Sequence, residues 1–122
     1  FLRKQKKIKE ILYPYKPSSK SYKLWKKYYS GANGLFSIVV KSKKRSSVIK
    51  FVNSLELFGI GYSWGGFESL VLLQDLRTNT KYTQTRRFLR FAKDEHIVRL
   101  HIGLEDPKDL IIDLKRSLKH IK

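Results

Sequence analysis

The sequence predicts an α/β (α+β) fold, a small and mainly antiparallel sheet flanked by helices. Three observations predict it. Leu35-Phe36-Ser37-Ile38-Val39-Val40 is a short β-branched run bounded by Gly34 and Lys41-Ser42, as a buried strand would be. Val98, Leu100 and Ile102 alternate with Arg99, His101 and Gly103, the pattern of a strand with one apolar and one polar face. Leu110, Ile111, Leu114, Leu118 and Ile121 then recur at three and four residues, the buried stripe of a helix.

The other elements follow along the chain. Residues 1–12 carry Ile8, Ile11 and Leu12 at helical spacing among lysines until Pro14 and Pro17 break the pattern, so the end of a helix leading into a loop is expected. In residues 18–29, Tyr22, Leu24, Trp25, Tyr28 and Tyr29 suit a second amphipathic helix that stops before Gly31. Residues 1–29 therefore read as a helical and linker segment entering a domain of residues 30–122. After the first strand, Val48, Phe51, Val52 and Leu55 mark a helix that Ser46 or Ser47 can cap.

Residues 58–65 alternate large with small. In an extended conformation one face is all Gly and Ser, which predicts that something approaches it closely. Leu70-Val71-Leu72-Leu73 reads as another strand, and residues 75–94 as a polar stretch with a short helix at 85–91. The last helix is the clearest. Asp106 sits at its N-cap and Pro107 in its first turn, while Lys115, Arg116, Lys119 and Lys122 suit the negative end of its dipole.

A hydrophobic fraction of 41% is too apolar for a disordered tail. The absence of an apolar run of about 18 residues leaves no membrane span, and Phe1-Leu2-Arg3-Lys4 is not a signal peptide, so a cytoplasmic protein is expected. With no cysteine there is no disulfide or thiolate chemistry, and His96, His101 and His120 lack metal-ligand spacing. A net charge of +17 raises nucleic acid as a candidate partner. The lysines are spread without a recognition-helix or aromatic-Gly RNA-binding pattern, so a solvated basic surface is the plainer reading. A basic, non-catalytic nucleic-acid-binding protein stays as the alternative. The sequence has no methionine and begins at Phe1, which predicts a piece of something longer.

Two segments are more specific than any of this: Gly59-Ile60-Gly61-Tyr62-Ser63-Trp64-Gly65-Gly66-Phe67-Glu68-Ser69-Leu70 and Val98-Arg99-Leu100-His101-Ile102-Gly103-Leu104-Glu105-Asp106. Together they resemble the cystathionine β-lyase branch of the Cys/Met-metabolism pyridoxal-phosphate enzymes. Ser30-Gly31-Ala32-Asn33-Gly34-Leu35-Phe36-Ser37 and Leu24-Trp25-Lys26 support the match. Sister γ-synthases and γ-lyases typically have Ser-Leu-Gly-Gly where this chain has Ser63-Trp64-Gly65-Gly66, so Trp64 favours the β-lyase. Asp94-Glu95-His96 departs from the Gly-Pro often found before the arginine strand, and the loop at 14–23 lacks family-type histidines.

The resemblance implies that residues 30–122 form the C-terminal substrate-binding domain of a fold-type-I enzyme. It makes Arg99 the anchor for the substrate α-carboxylate, since a planar guanidinium pairs with carboxylate through two charge-assisted hydrogen bonds. Trp64 would offer its indole N–H and an apolar wall, Ser63 its backbone N–H, and Gly65 and Gly66 a tight turn beside the ligand. On the residues alone, Arg99 reads rather as a strand arginine paired with Glu105 or Glu68 and Tyr62 and Trp64 as ordinary core aromatics, the reading kept for Tyr62, while His101 reads as a structural residue or a hydrogen-bond partner in the strand.

In the complete enzyme the resemblance implies pyridoxal 5'-phosphate and the conversion of cystathionine to homocysteine, pyruvate and ammonia. The Schiff-base lysine, the acidic partner of the pyridine nitrogen and the phosphate cup all precede this region in the family. Thr80-Lys81-Tyr82 looks like part of the lysine segment, but Thr83-Gln84-Thr85-Arg86 follows in place of its Gly-His-Ser-Asp continuation. The expectation is a chain with no catalytic, cofactor-binding or metal residue of its own, inactive alone. Its implied partners are cystathionine, a separate N-terminal fragment holding the cofactor domain, and the copies of a family homotetramer.

Overall fold

The computed structural model describes residues 1–74 and 91–122, so the short helix expected at 85–91 and the Lys81 segment lie outside the described residues. Five strands form one sheet in the order β1-β2-β5-β4-β3. These are β1 Ile8–Leu12, β2 Leu35–Lys41, β3 Gly59–Ile60, β4 Leu70–Leu73 and β5 Glu95–His101. Every pairing is antiparallel except the two-residue β3, which runs parallel to β4. The helices are α1 Tyr22–Tyr28, α2 Arg45–Asn53 and α3 Pro107–Ser117, the last continued by a 3-10 turn, Leu118–His120. The mixed fold with a mainly antiparallel sheet is as the sequence predicts.

The core lies on one face of the sheet. Ile38 and Val40 of β2, Val71 of β4 and Val98 and Leu100 of β5 meet Val48, Phe51 and Val52 of α2 and Leu110, Leu114, Leu118 and Ile121 from the last helix onward. Fully burying each such side chain contributes roughly 1.5–3 kcal/mol. The opposite face carries Ser37, Arg99 and Leu72 side by side, because the strand register pairs Ser37 with Arg99 and Arg99 with Leu72.

One element differs in kind from the sequence reading. Residues 8–12 are a strand, not a helix, and β1 pairs with β2 through an irregularity: Ile8 faces Val40 while Glu10 already faces Val39. Lys9 is the extra residue of a bulge. The bulge puts Ile8 and Ile11 on one face, both packed against the core, although they are three residues apart. A bulged strand thus imitates helical spacing. Lys9 pairs with the buried carboxylate of Glu95, and Lys7 donates to the Ile121 carbonyl, so the strand is tied to β5 and to the chain's end.

Smaller differences have equally local causes. Asp106 caps α3 by accepting from the Lys108 N–H at 2.7 Å, as expected, but Ile111 is 39% exposed and Asp113 takes a place on the buried face instead. Its carboxylate accepts from the Glu56 and Leu57 N–H groups at 3.0 and 2.9 Å, which satisfies the charge where α3 meets the turn after α2. Ser46 and Ser47 lie inside the first turn of α2, whose N-cap is Lys44; Ser47 Oγ donates back to the Lys44 carbonyl at 2.7 Å.

The expected close approach is not at the Gly and Ser face of residues 58–65. A Cβ on Gly59 or Gly61 would meet the Leu70 side chain at 3.4 Å, an ordinary contact. The tight places are Gly34, against the Ile102 backbone, and Gly103, whose Cβ would overlap the Phe67 carbonyl oxygen and the Glu68 carbonyl carbon. Gly103→Ala should therefore cost about 1–3 kcal/mol through overpacking. Gly31→Ala, with nothing within 4 Å, should be near neutral. Urea midpoints at unchanged m-value measure both.

Candidate functional site

The site is built where the loop between β3 and β4 lies over the polar face of β5. Alternation along β5 places Arg99 and His101 on the same side, both turned to that loop. Arg99 Nη2 donates to the carbonyl of Tyr62 at 2.8 Å, and at longer range to those of Ser63 and Gly61, 3.3 and 3.4 Å away. His101 Nε2 lies 3.2 Å from the Gly66 carbonyl and donates to it, so two side chains of one strand hold the loop at two points.

The base of the loop is latched more firmly. Ser69 is fully buried, and Glu105 accepts its N–H and its hydroxyl, each at 2.7 Å. Gly103 N–H donates to Ser69 Oγ at 2.9 Å, and Leu104 N–H to the Phe67 carbonyl at 2.8 Å. This is why Gly103 has no room for a side chain. Gly66, at a φ of +150°, makes the turn between the two holds.

Among the described residues Arg99 has no carboxylate partner. Glu105 is taken by Ser69, and the ion pairs involving Glu95, Glu56 and Asp113 lie elsewhere. Only Nη2 is engaged, so Nη1 and Nε remain as donors. Ser63 spends its hydroxyl on the Gly65 carbonyl at 3.0 Å, while its backbone N–H makes no hydrogen bond among the described residues. Trp64 is 74% exposed and its indole is likewise unpaired among the described residues. The structure thus brings Arg99 and Ser63 together with Trp64 next in the chain, and neither Trp64 nor Tyr62 is a core aromatic. The holds from His101 and Glu105 were not singled out as site features, although both residues stand inside the second motif.

Such an arrangement can bind an anion with a planar pair of oxygens: a guanidinium held at one nitrogen by a loop whose Ser63 backbone N–H and Trp64 indole N–H are unpaired among the described residues. Among the described residues it does not offer the groups that pyridoxal phosphate needs. The described groups around the guanidinium are backbone carbonyls and the cross-strand Ser37 and Leu72, with no lysine to form an imine and no acid for a pyridine nitrogen.

A sequence model of the Cys/Met metabolism PLP-dependent enzymes matches residues 1–119. The chain belongs to this family. Among curated relatives, the cystathionine β-lyase of Bordetella avium is 39% identical over 118 residues, 97% of this chain and 28% of that protein. The L-alanine/L-glutamate racemase of Wolbachia pipientis wMel is 38% identical over 122 residues, 99% of this chain and 29% of that protein. The structure of cystathionine γ-lyase from Lactobacillus plantarum, complexed with L-serine, superposes with a TM-score of 0.76 at 26% identity, covering 98% of this chain and 31% of that one. The chain therefore spans less than a third of the length of these relatives.

The latch is sensitive to acid. The Ser69 N–H and hydroxyl hold the Glu105 carboxyl below its ordinary value, and the Lys9 ammonium does the same for Glu95, in both cases against the opposing effect of burial. The unfolded chain then binds these protons more tightly than the folded one. Their contribution is complete above the ordinary glutamate pKa of about 4.3 and is lost as pH falls through the lowered folded values. The urea midpoint should fall between about pH 5 and 3, and Glu105→Gln should lower it at pH 7 while flattening that fall.

Proposed function

We propose that this chain is the substrate-carboxylate-binding part of a pyridoxal-phosphate-dependent carbon–sulfur β-lyase acting on cystathionine, with Arg99 as the anchor. The observation that carries the reading is a guanidinium with open donors and no carboxylate partner among the described residues, on a loop that also exposes the Ser63 and Trp64 N–H groups. Membership of the family supports the cofactor class, and the cystathionine-cleaving relatives support the substrate class. The L-serine of the neighbouring γ-lyase structure is an amino acid with the same α-carboxylate. In this reading the carboxylate lies across Nη1 or Nε of Arg99 and accepts from Ser63 N–H and the Trp64 indole. Fixing it at two oxygens leaves Cα one orientation, which is the chain's own contribution to the reaction.

The electron sink and the base come from elsewhere. The cofactor domain, which in the family precedes this region, supplies them in the cytoplasm, and these 122 residues alone release no pyruvate. Tyr62, Trp64, Phe67, Ile60 and Leu104 surround the site with 63–85% exposure, which suits a face that the remaining two-thirds of the fold covers. The racemase relative is the rival within the family, since the amino acids in its name, alanine and glutamate, carry the same α-carboxylate.

The test is co-expression with an N-terminal family polypeptide containing the Schiff-base lysine. Pyruvate release from cystathionine and interconversion of alanine enantiomers are measured on the same complex. Pyruvate without racemisation supports the lyase; racemisation without pyruvate overturns it. In the active pair Arg99→Ala should lose about two to three decades in kcat/KM, the equivalent of roughly 3–4 kcal/mol. Arg99→Lys should recover little, because one ammonium cannot supply the fork. Trp64→Phe should cost less, keeping the wall and losing one neutral donor. Near-parental activity of a folded Arg99→Ala pair removes the anchor assignment.

A further inference from the structure

A second surface stands apart from the Arg99 loop. Tyr13, Tyr15, Trp25, Tyr28 and Tyr29 line a groove of about 480 Å³ between α1 and the start of β2. Trp25 fixes its wall, stacked on Tyr22 at 5.6 Å between ring centres and meeting Tyr15 edge-on at 4.6 Å. Tyr28 and Tyr29 are 64% and 65% exposed, so large aromatic surface is left to solvent. α1 buries no residue in the core, and packing alone does not explain five aromatic side chains around it.

The sequence from Ile11 to Leu55, which contains the groove, carries charge of one sign, with Glu10 lining only the adjoining cavity. Between Glu10 and Glu56 the sequence holds no acidic residue, while Lys16, Lys20, Lys23, Lys26 and Lys27 fall in the segment that builds the groove. None of these five lysines has an ion-pair partner among the described residues, and Lys27 Nζ lies 5.2 Å from the centre of the Tyr28 ring. An apolar partner would cover the tyrosines and leave these ammonium groups desolvated and unpaired, which is costly. A plain polyanion would satisfy the lysines and leave the rings in water. A strand that alternates phosphate with a flat base satisfies both, since every base presents a π-face and every linkage one negative charge.

We propose that the α1 groove binds single-stranded nucleic acid without sequence preference, with bases stacking on Tyr28 and Tyr29 and phosphates neutralised by Lys23, Lys26 and Lys27. The proposal is independent of the Arg99 reading. It differs from a groove-reading mode, because it needs only stacking and backbone charge, and the affinity it implies is modest and steeply salt-dependent.

The test uses the 122-residue chain and a fluorescein-labelled uridylate 12-mer, followed by anisotropy over a series of KCl concentrations. Unlabelled competitors are polyphosphate, duplex DNA and poly-glutamate of equal charge. At fixed salt, Tyr28→Ala and Tyr29→Ala should each weaken oligonucleotide binding about tenfold with the salt slope unchanged, and Tyr28→Phe should restore it. Combined Lys23→Gln, Lys26→Gln and Lys27→Gln should reduce the log–log salt slope by about 2. Both tyrosines are exposed, and circular dichroism checks that each variant folds. Polyphosphate competing as well as the oligonucleotide, with tyrosine variants that bind like the parent, overturns the proposal and leaves only the attraction of a polycation. Preferential binding of poly-glutamate overturns it in favour of an acidic polypeptide partner.

Discussion

β5 is hydrogen-bonded along both edges, to β2 through all seven of its residues and to β4 from Val98 to His101. Its side chains alternate, so the strand has one register in which Val98 and Leu100 enter the core and Arg99 and His101 face the loop. A slip of one residue would bury the guanidinium and expose the leucine, at a cost far above any gain from re-pairing. The apolar core therefore fixes where the arginine stands. The position of the site is a consequence of packing on the far side of the same strand.

The loop depends on this fixed strand in turn. Residues between β3 and β4 contribute almost no apolar burial, with Tyr62, Trp64 and Phe67 all more than 70% exposed. Their conformation is held by polar contacts: the Arg99 and His101 side chains on loop carbonyls, and the Glu105 carboxylate on Ser69. Among the described residues the buried Nδ1 of His101 has no hydrogen-bond partner, so the ring has one hold on the loop, Nε2 donating to the Gly66 carbonyl. Glutamate is needed at position 105 because it must accept two donors from one buried serine while approaching from a chain that passes within contact of Phe67. Arg99 consequently has two tasks. One nitrogen supports the loop carbonyls, and the others make no hydrogen bond among the described residues.

Most of the fold was legible because its signals were local. The alternation of β5, the β-branched run of β2 and the Asp106-Pro107 start of α3 each state their structure within a few residues. β1 was not legible for a definite reason: the bulge at Lys9 shifts the period of Ile8 and Ile11 from two to three, and three is a helical spacing. Asp113 was missed on the buried face because its partners, the N–H groups of Glu56 and Leu57, are more than fifty residues away and are backbone atoms that no sequence pattern reveals. The same asymmetry applies to the site. Arg99, Ser63 and Trp64 came from motif resemblance, and the structure brings their segments together. The contact between Arg99 and loop carbonyls had no signal, since every residue carries a carbonyl, and the expected choice between Glu68 and Glu105 as its partner left that class of partner out.

The division of the sheet into a packed face and a polar face also separates the core of this segment, less than a third the length of its relatives, from the site proposed at Arg99. The core needs α2 and α3, and both are present on one side. As the proposed carboxylate anchor, the guanidinium would need a low-dielectric surrounding supplied from the other side. A unit charge pair at 4 Å is worth about 1 kcal/mol in water and about 4 kcal/mol at an effective dielectric of 20. The difference of about 3 kcal/mol corresponds to roughly two decades in binding, so an arginine placed correctly but left open to solvent grips a carboxylate weakly. On the proposed reading, geometry is therefore set within this chain, while strength would be set by a cover over Trp64, Tyr62 and Phe67. Stability and function are separable here because they use opposite faces of one strand.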